Sequence, residues 1–274
     1  FWCPDGASNS IYSEIEFLNS GALELGEPDW DDRPIVITAL DESFSRDGDR
    51  SFCAFARLGK VSGSDHLHIC YETTLEEDAT NKSIPHTFQI VDKWKSLAND
   101  FGVKPNNAIM DGTGGGQAFG HIVDVQWSPV VQKVNFQGKA SDRVVIFRDK
   151  TTTFFNKNSE MWIQPKEYIR SKQISGLSKE TMAELIEREY HAKEIRALRV
   201  ESKDEAKKRL KRSPDRADVF NMLIEKAISL GAFRSEEIKK VSKMANKGWE
   251  QARNNTQIAT TCGRRLKRSS INKR

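Results

Sequence analysis

Three acidic segments sit where a strand or helix should end: Ala39-Leu40-Asp41, Ile109-Met110-Asp111 and Ser213-Pro214-Asp215-Arg216-Ala217-Asp218. Carboxylates far apart in sequence, each presented by the end of a regular element, are the usual means of collecting oxygen ligands for hard divalent cations. Two such ions together activate a water and stabilise a departing oxygen, which is what hydrolysis of a phosphodiester requires. Oxygen ligands suit Mg²⁺ or Mn²⁺ and call for neither thiol nor imidazole. Asp41, closing a central strand, is placed to bridge both ions, and Asp111, closing a different strand, to hold one of them. Asp215 and Asp218 stand three apart and so share a helix face, in the first turns where the dipole favours negative charge. A single Asp behind an apolar run is commonly a turn or cap residue, so convergence in space decides the matter.

The other chemistry-bearing groups are weaker. His66 and His68 alternate on one strand without a third ligand nearby and read as ordinary sheet residues. Asp47 and Asp49 read as solvated turn residues, and Asp124 as a surface residue of its helix. The run Asp111-Gly-Thr-Gly-Gly-Gly lacks the Lys-Ser/Thr of a phosphate-gripping loop, so Gly114 to Gly116 are expected to form a close-approach turn beside the metal site. Cys3, Cys53, Cys70 and Cys262 show neither zinc spacing nor disulfide density and are expected to be reduced thiols.

The elements that must position the acids follow from apolar periodicity. Residues 34 to 40 form a β-branched run. SFCAFARLG and DHLHICYETT follow it with short connections and read as an antiparallel meander. Phe88, Val91, Trp94, Ala98 and Phe101 recur at helical spacing from about Pro85, and Gly102 stops that helix. A short strand from Asn107 to Met110, reached through this crossover, implies a parallel neighbour, and a helix over Gln117 to Val125 follows. Residues 130 to 148 suggest a hairpin. Two helices follow Asn156, the first broken or begun around Pro165 and the second opened by Ser178-Lys-Glu-Thr. A strand near Lys193 to Val200 and a basic helix near Asp204 to Arg212 come next. Ser213 as N-cap with Pro214 at the first position then opens a core helix to about Leu230.

A chain of 274 residues with 37% apolar content can bury a proper core without staples. No stretch approaches a membrane span, and FWCPDGASNS lacks the regions of a signal peptide, so a soluble intracellular protein is expected. Net charge is +4, but no acidic residue follows Glu250, leaving a basic C-terminal arm with Arg264, Arg265, Lys267 and Arg268. With Lys207, Lys208, Arg209, Lys211 and Arg212, these are the candidates for salt-sensitive phosphate contacts.

Taken together, ALDESFSRDGD, IMDGTGGGQAFGHIVD, FFNKNSEMW and ESKDEAKKRLKRSPDRADVFNMLIEKA resemble the C-terminal nuclease domain of the large terminase subunit of tailed bacteriophages, over roughly residues 35 to 228. The resemblance implies a ribonuclease-H-like α/β fold: a mixed sheet of three antiparallel strands continued by parallel strands, with helices on both faces. It implies a metal-dependent endonuclease that uses two Mg²⁺ or Mn²⁺ ions to cut double-stranded DNA with little sequence preference. Asp41, Asp111 and Asp218 would be the catalytic carboxylates and metal ligands, with Asp215 assisting. The family places an ATPase domain before the nuclease, and with the linker-like first residues and the basic end of the sequence the expected organisation is residues 1–33 as a linker from that domain, 34–230 as the nuclease and 231–274 as a basic tail, the first and last lying outside the resemblance. Portal protein and small terminase subunit would be partners in the full-length protein, at the procapsid portal vertex in the host cytoplasm, while the isolated domain is expected to be monomeric. The alternatives are a resolvase- or transposase-like nuclease of the same superfamily and a non-catalytic DNA-binding or docking module.

Overall fold

The computed structural model describes residues 9–42, 51–113, 116–147, 150–191 and 197–233. Strands β1 (Ile35–Asp41), β2 (Ser51–Val61) and β3 (Ser64–Leu75) form the meander, β1 pairing β2 and β2 pairing β3 in antiparallel register. Ser62 and Gly63, with φ of 50° and 79°, make the tight β2–β3 turn, whose left-handed residues match the twist of the flanking strands. Helix α2 (His86–Asp100) then crosses over to β4 (Ala108–Asp111), which lies parallel to β1 with Ala39 opposite Ile109. Gly102, at φ 67°, ends the helix as expected. Helix α3 (Gly116–Gln126) leads to β5 (Gln132–Val134), parallel to β4 at the sheet edge.

Helices α4 (Lys157–Ile163) and α5 (Pro165–Arg170) meet at Gln164, the break that Pro165 imposes. A two-residue strand β8 (Ile174–Ser175) then adds to the free edge of β3 in parallel, giving the order β5-β4-β1-β2-β3-β8. Helix α6 (Lys179–Glu187) is capped by Ser178, whose hydroxyl accepts from the Thr181 amide at 3.1 Å. Helices α7 (Lys203–Leu210) and α8 (Asp215–Ser229) complete the core body.

Period-2 alternation divides the sheet's two faces. Leu40, Cys53, Phe55 and Met110 pack with Ile90, Val91 and Trp94 of α2 and with Phe119 and Val123 of α3. The Trp94 indole donates to Thr38 Oγ1 at 3.0 Å, and that hydroxyl donates to the Ala54 carbonyl at 2.9 Å, so this apolar layer also satisfies its polar atoms. Ile37, Ala39 and Asp41 alternate onto the opposite face, against α8, whose Ala217 to Ile224 are all buried.

Three expectations change. Residues 130 to 148 do not form a hairpin with each other: β5 joins the main sheet, whereas β6 (Val145–Phe147) pairs β7 (Lys150–Thr152). Alternation shows that a segment is extended and leaves its partner open. That β6–β7 hairpin falls in a unit separate from the main body. The strand expected near Lys193 to Val200 is reduced, among the described residues, to single bridges at Leu198 and Val200. Ser213 does not cap α8. The helix opens one residue late, with Pro214 in the cap position, and the Ser213 hydroxyl is buried without a partner. Within residues 9–33 the chain is partly helical. Helix α1 (Glu14–Ser20) packs on α5 and α6, and Ile11, Tyr12 and Phe17 are buried.

Candidate functional site

Parallel pairing of β1 and β4 brings their carboxyl ends side by side, and with them Asp41 and Asp111. In open α/β sheets the carboxyl ends of such strands form the usual ligand crevice. Helix α8 lies across the face onto which Asp41 projects and supplies Asp215 and Asp218 from its first turn. Lys203, the first residue of α7, joins these groups: its Nζ lies 3.0 Å from Asp41 Oδ2, 3.1 Å from Asp218 Oδ2 and 3.6 Å from Asp215 Oδ1. Asp111 is not a contact of Lys203. One of its oxygens, Oδ1, accepts from the Thr113 amide at 2.7 Å, which turns the chain toward α3.

Asp41 and Asp218 are nearly buried, at 5% exposure each. Burial pushes the Asp41 carboxyl well above its ordinary value. The Lys203 ammonium opposes this, and the charges of Asp218, Asp215 and Asp111 add to the rise. Burial likewise raises Asp111, against its hydrogen bonds from Thr113. Burial alone would lower Lys203, but Asp41, Asp218 and Asp215 more than reverse that and hold it above the usual lysine range. One ammonium thus faces more carboxylate charge than it can neutralise.

Two further residues complete the site. Glu42 follows Asp41 and is half-buried, its Oε2 is buried with no hydrogen-bond partner, and desolvation followed by the charges of Asp41 and Asp111 raises its carboxyl well above the ordinary range. A Cβ on Gly116 would fall 2.5 Å from both the Asp111 carbonyl and Glu42 Oε1, so the α3 start can approach the acids only as glycine. The expectation of a close-approach turn here rests on Gly116, since Gly114 and Gly115 lie outside the described residues.

The residues fit a divalent cation by chemistry. The donors are hard oxygens, negative charge exceeds positive, and a buried carboxylate oxygen is unsatisfied. Among the described residues no group of three or more Asp, Glu, His or Cys side chains is already spaced to hold a metal ion, and the Lys203 ammonium sits among the acids.

Lys203 and Glu42 were not singled out from sequence. Lys203 carries a signal: a cation at the first position of a helix opposes the dipole, so something else must hold it there. The helix itself is announced by Ser202 and Glu205. The Ser202 amide donates to Glu205 Oε2 at 2.7 Å and the Glu205 amide to Ser202 Oγ at 3.2 Å.

The expected phosphate contacts divide. Arg209 is exposed but engaged within the chain, donating to Glu201 Oε1 at 2.5 Å and to the Glu187 carbonyl at 2.6 Å. Arg212 pairs with Glu184 at 3.0 Å and with Glu187. Lys208 and Lys211 are exposed and Lys207 is half-buried. Arg264, Arg265, Lys267 and Arg268 lie outside the described residues, as do Asp47 and Asp49. Asp124 pairs with Lys133. His66 and His68 share one partner away from the acids, Ser175 Oγ, at 2.8 and 2.9 Å, and so fasten β8 to β3. Cys53 and Cys70 are free thiols. Among the described residues no helix is long and apolar enough to cross a membrane.

No family model and no curated protein matches the chain. Among solved structures it is similar to the nuclease domain of the large terminase subunit of bacterial virus Sf6, with TM-score 0.57, 17% identity, and 78% of this chain and 97% of that chain covered. A point mutant of that domain with calcium gives 0.57 at 16% identity over 78% of this chain and 98% of that one. The mutant with manganese and beta-thujaplicinol gives 0.56 at 16% identity over 78% and 97%. At such identity the likeness shows the fold: a ribonuclease-H-like mixed sheet of the kind found in terminase nuclease domains.

Proposed function

We propose that the chain is the nuclease domain of a viral DNA-packaging terminase, a metal-dependent endonuclease that cleaves double-stranded DNA with little sequence preference. The observation that carries this reading is the meeting of Asp41, Asp218 and Asp215 on the Lys203 ammonium within 3.0 to 3.6 Å, beside Asp111 on the parallel neighbour strand. Asp41, Asp111 and Asp218 would hold two divalent cations, with Asp215 assisting. A point mutant of the Sf6 domain has been solved with calcium and with manganese, which supports the choice of hard divalent ions. Bound there, Mg²⁺ or Mn²⁺ would supply water activation and stabilisation of the departing oxygen.

The chain's own residues prepare this chemistry. The parallel β1–β4 pair fixes the spacing of Asp41 and Asp111. Helix α8 sets Asp215 and Asp218 on one face. Lys203 neutralises part of the acidic charge in the resting protein, and its flexible four-carbon stem lets the ammonium turn from the carboxylates toward an arriving phosphate. Glu42 supplies an additional oxygen on the inner wall. Lys208 and Lys211 would add sequence-independent backbone attraction, consistent with little base readout. The ATPase domain, portal protein and small terminase subunit would be the partners in a full-length protein working at the portal vertex in the host cytoplasm.

Plasmid cleavage with Mg²⁺ or Mn²⁺ tests the reading. We expect cleavage by the parent protein that chelator abolishes. Asp41→Asn should lose more than about 100-fold in rate while duplex binding persists, since removing a ligand should exceed the loss from removing an outer-shell partner. Absence of cleavage in the parent would leave a DNA-binding or docking module, and full activity in the variant would remove Asp41 from the catalytic set. A marked preference for branched over linear duplex would point to a resolvase-like enzyme.

A further inference from the structure

Arg216 lies between Asp215 and Asp218 in the first turn of α8, and its side chain meets two neighbouring strands, β2 and β3. Its Cζ sits 4.5 Å from the ring centroid of Phe52. Phe52 is the β2 residue directly opposite Asp41 in the antiparallel register, and such pairs project on the same face. The guanidinium is therefore one aromatic ring away from the proposed metal-bridging carboxylate. Its Nη1 lies 3.6 Å from Glu72 Oε2. Glu72 in turn accepts a hydrogen bond from Thr181 Oγ1 at 2.7 Å, and Thr181, in the first turn of α6, is fully buried and accepts from Ser178 Oγ at 2.9 Å.

The arrangement orients a cation without consuming it. A separation of 3.6 Å is an ion pair and not a hydrogen bond, so Glu72 balances charge while leaving the fork's donors largely unspent. The side chain keeps 32% of its exposure, whereas Phe52 beneath it is buried. Every other ionisable group of the α8 turn is acidic, and Lys203 is engaged with those acids. A polyanion brought to such a place needs a fixed cation just outside the carboxylates. A stacked guanidinium can grip a phosphate with two parallel hydrogen bonds where an ammonium cannot.

Resting on the nuclease reading above, we infer that Arg216 is a substrate-binding residue that takes a DNA backbone phosphate flanking the scissile one, on a guanidinium pre-set against Phe52 by the Thr181–Glu72 bracket. The competing account is a surface ion pair of small energetic weight. The two separate on Arg216→Gln, which keeps a planar head but no charge, and Arg216→Lys, which keeps the charge but not the fork.

The experiment measures binding of a short linear duplex in Ca²⁺ over a salt series, and single-turnover cleavage in Mn²⁺ against protein concentration. Arg216→Gln should raise the half-saturating concentration about ten-fold and reduce the slope of log affinity on log salt by about 0.9, one phosphate's worth. Mn²⁺ affinity by calorimetry and melting temperature should stay near the parent's. Arg216→Lys should recover the salt slope but not the affinity. Parent-like half-saturation and slope in Arg216→Gln would overturn the inference. A parent protein that does not cleave would overturn the nuclease reading instead, and the binding series would still decide the part played by Arg216.

Discussion

Lys203 is the residue on which the site's charge balance turns. Its ammonium reaches Asp41 and Asp218 at about hydrogen-bonding distance and Asp215 slightly farther off. Removing one partner of a buried charge cluster leaves the others uncompensated, which costs about 3–5 kcal/mol when burial is complete. The Lys203 side chain keeps 36% exposure, so we expect Lys203→Met to lose about 1–3 kcal/mol in denaturant unfolding without metal. Millimolar Mn²⁺ should restore most of the loss, because a cation binding only the folded state stabilises it. An unfolding midpoint unchanged by the substitution, or a loss that Mn²⁺ does not repair, would contradict the charge-balance account. At this scale the sequence showed the acids but not their companions. Asp41 and Asp111 stand out because an apolar run ends on each. Lys203 is hidden in a charged helix, where one more lysine looks like a solvated face, and Glu42 is hidden because its burial depends on the approach of Gly116 from α3.

Among the elements, α8 shows most clearly what local reading can miss. Its first turn holds two candidate ligands, yet its own cap position is Pro214 and the Ser213 hydroxyl takes no part. The amide of Ala217 is satisfied from α6 instead, donating to Glu184 Oε2 at 3.0 Å, while Arg212 holds the other carboxylate oxygen at 3.0 Å. A cap supplied from 33 residues away leaves no signature at the helix start. Burial, opposed by the Ala217 amide and Arg212, raises Glu184 from 4.5 to about 7. The folded state therefore binds this proton more tightly than the unfolded chain does. Its contribution is complete below about pH 4.5 and lost as the pH rises through about 7. We expect Glu184→Gln to flatten the fall in stability between pH 5 and 8 by about 1–2 kcal/mol relative to the parent, in unfolding curves taken across that range. Identical pH slopes would remove Glu184 from the account. Helix α2, by contrast, was legible throughout: Val91, Trp94 and Ala98 give it one buried stripe and Gly102 ends it. The two-residue strand β8 was not, because its place depends on Ser175 meeting His66 and His68 from β3, a contact between residues more than a hundred positions apart.

For the molecule as a whole, strand order does the positioning. A meander followed by a crossover helix set β1 beside β4, and that part of the topology follows from element sequence and connection rules. The consequence is that residues 41 and 111 meet at one end of the sheet, with α8 closing the same end. Net charge of +4 spread over the chain coexists with a local excess of carboxylate, the arrangement of a protein that attracts a polyanion broadly and cations at one point. The most direct test of that convergence is a crystal of the protein soaked in Mn²⁺, read by anomalous scattering. The account requires manganese peaks bounded by Asp41, Asp111 and Asp218, with the Lys203 ammonium moved off the carboxylates. Ordered crystals with no peak there, or with manganese held only elsewhere, would contradict it.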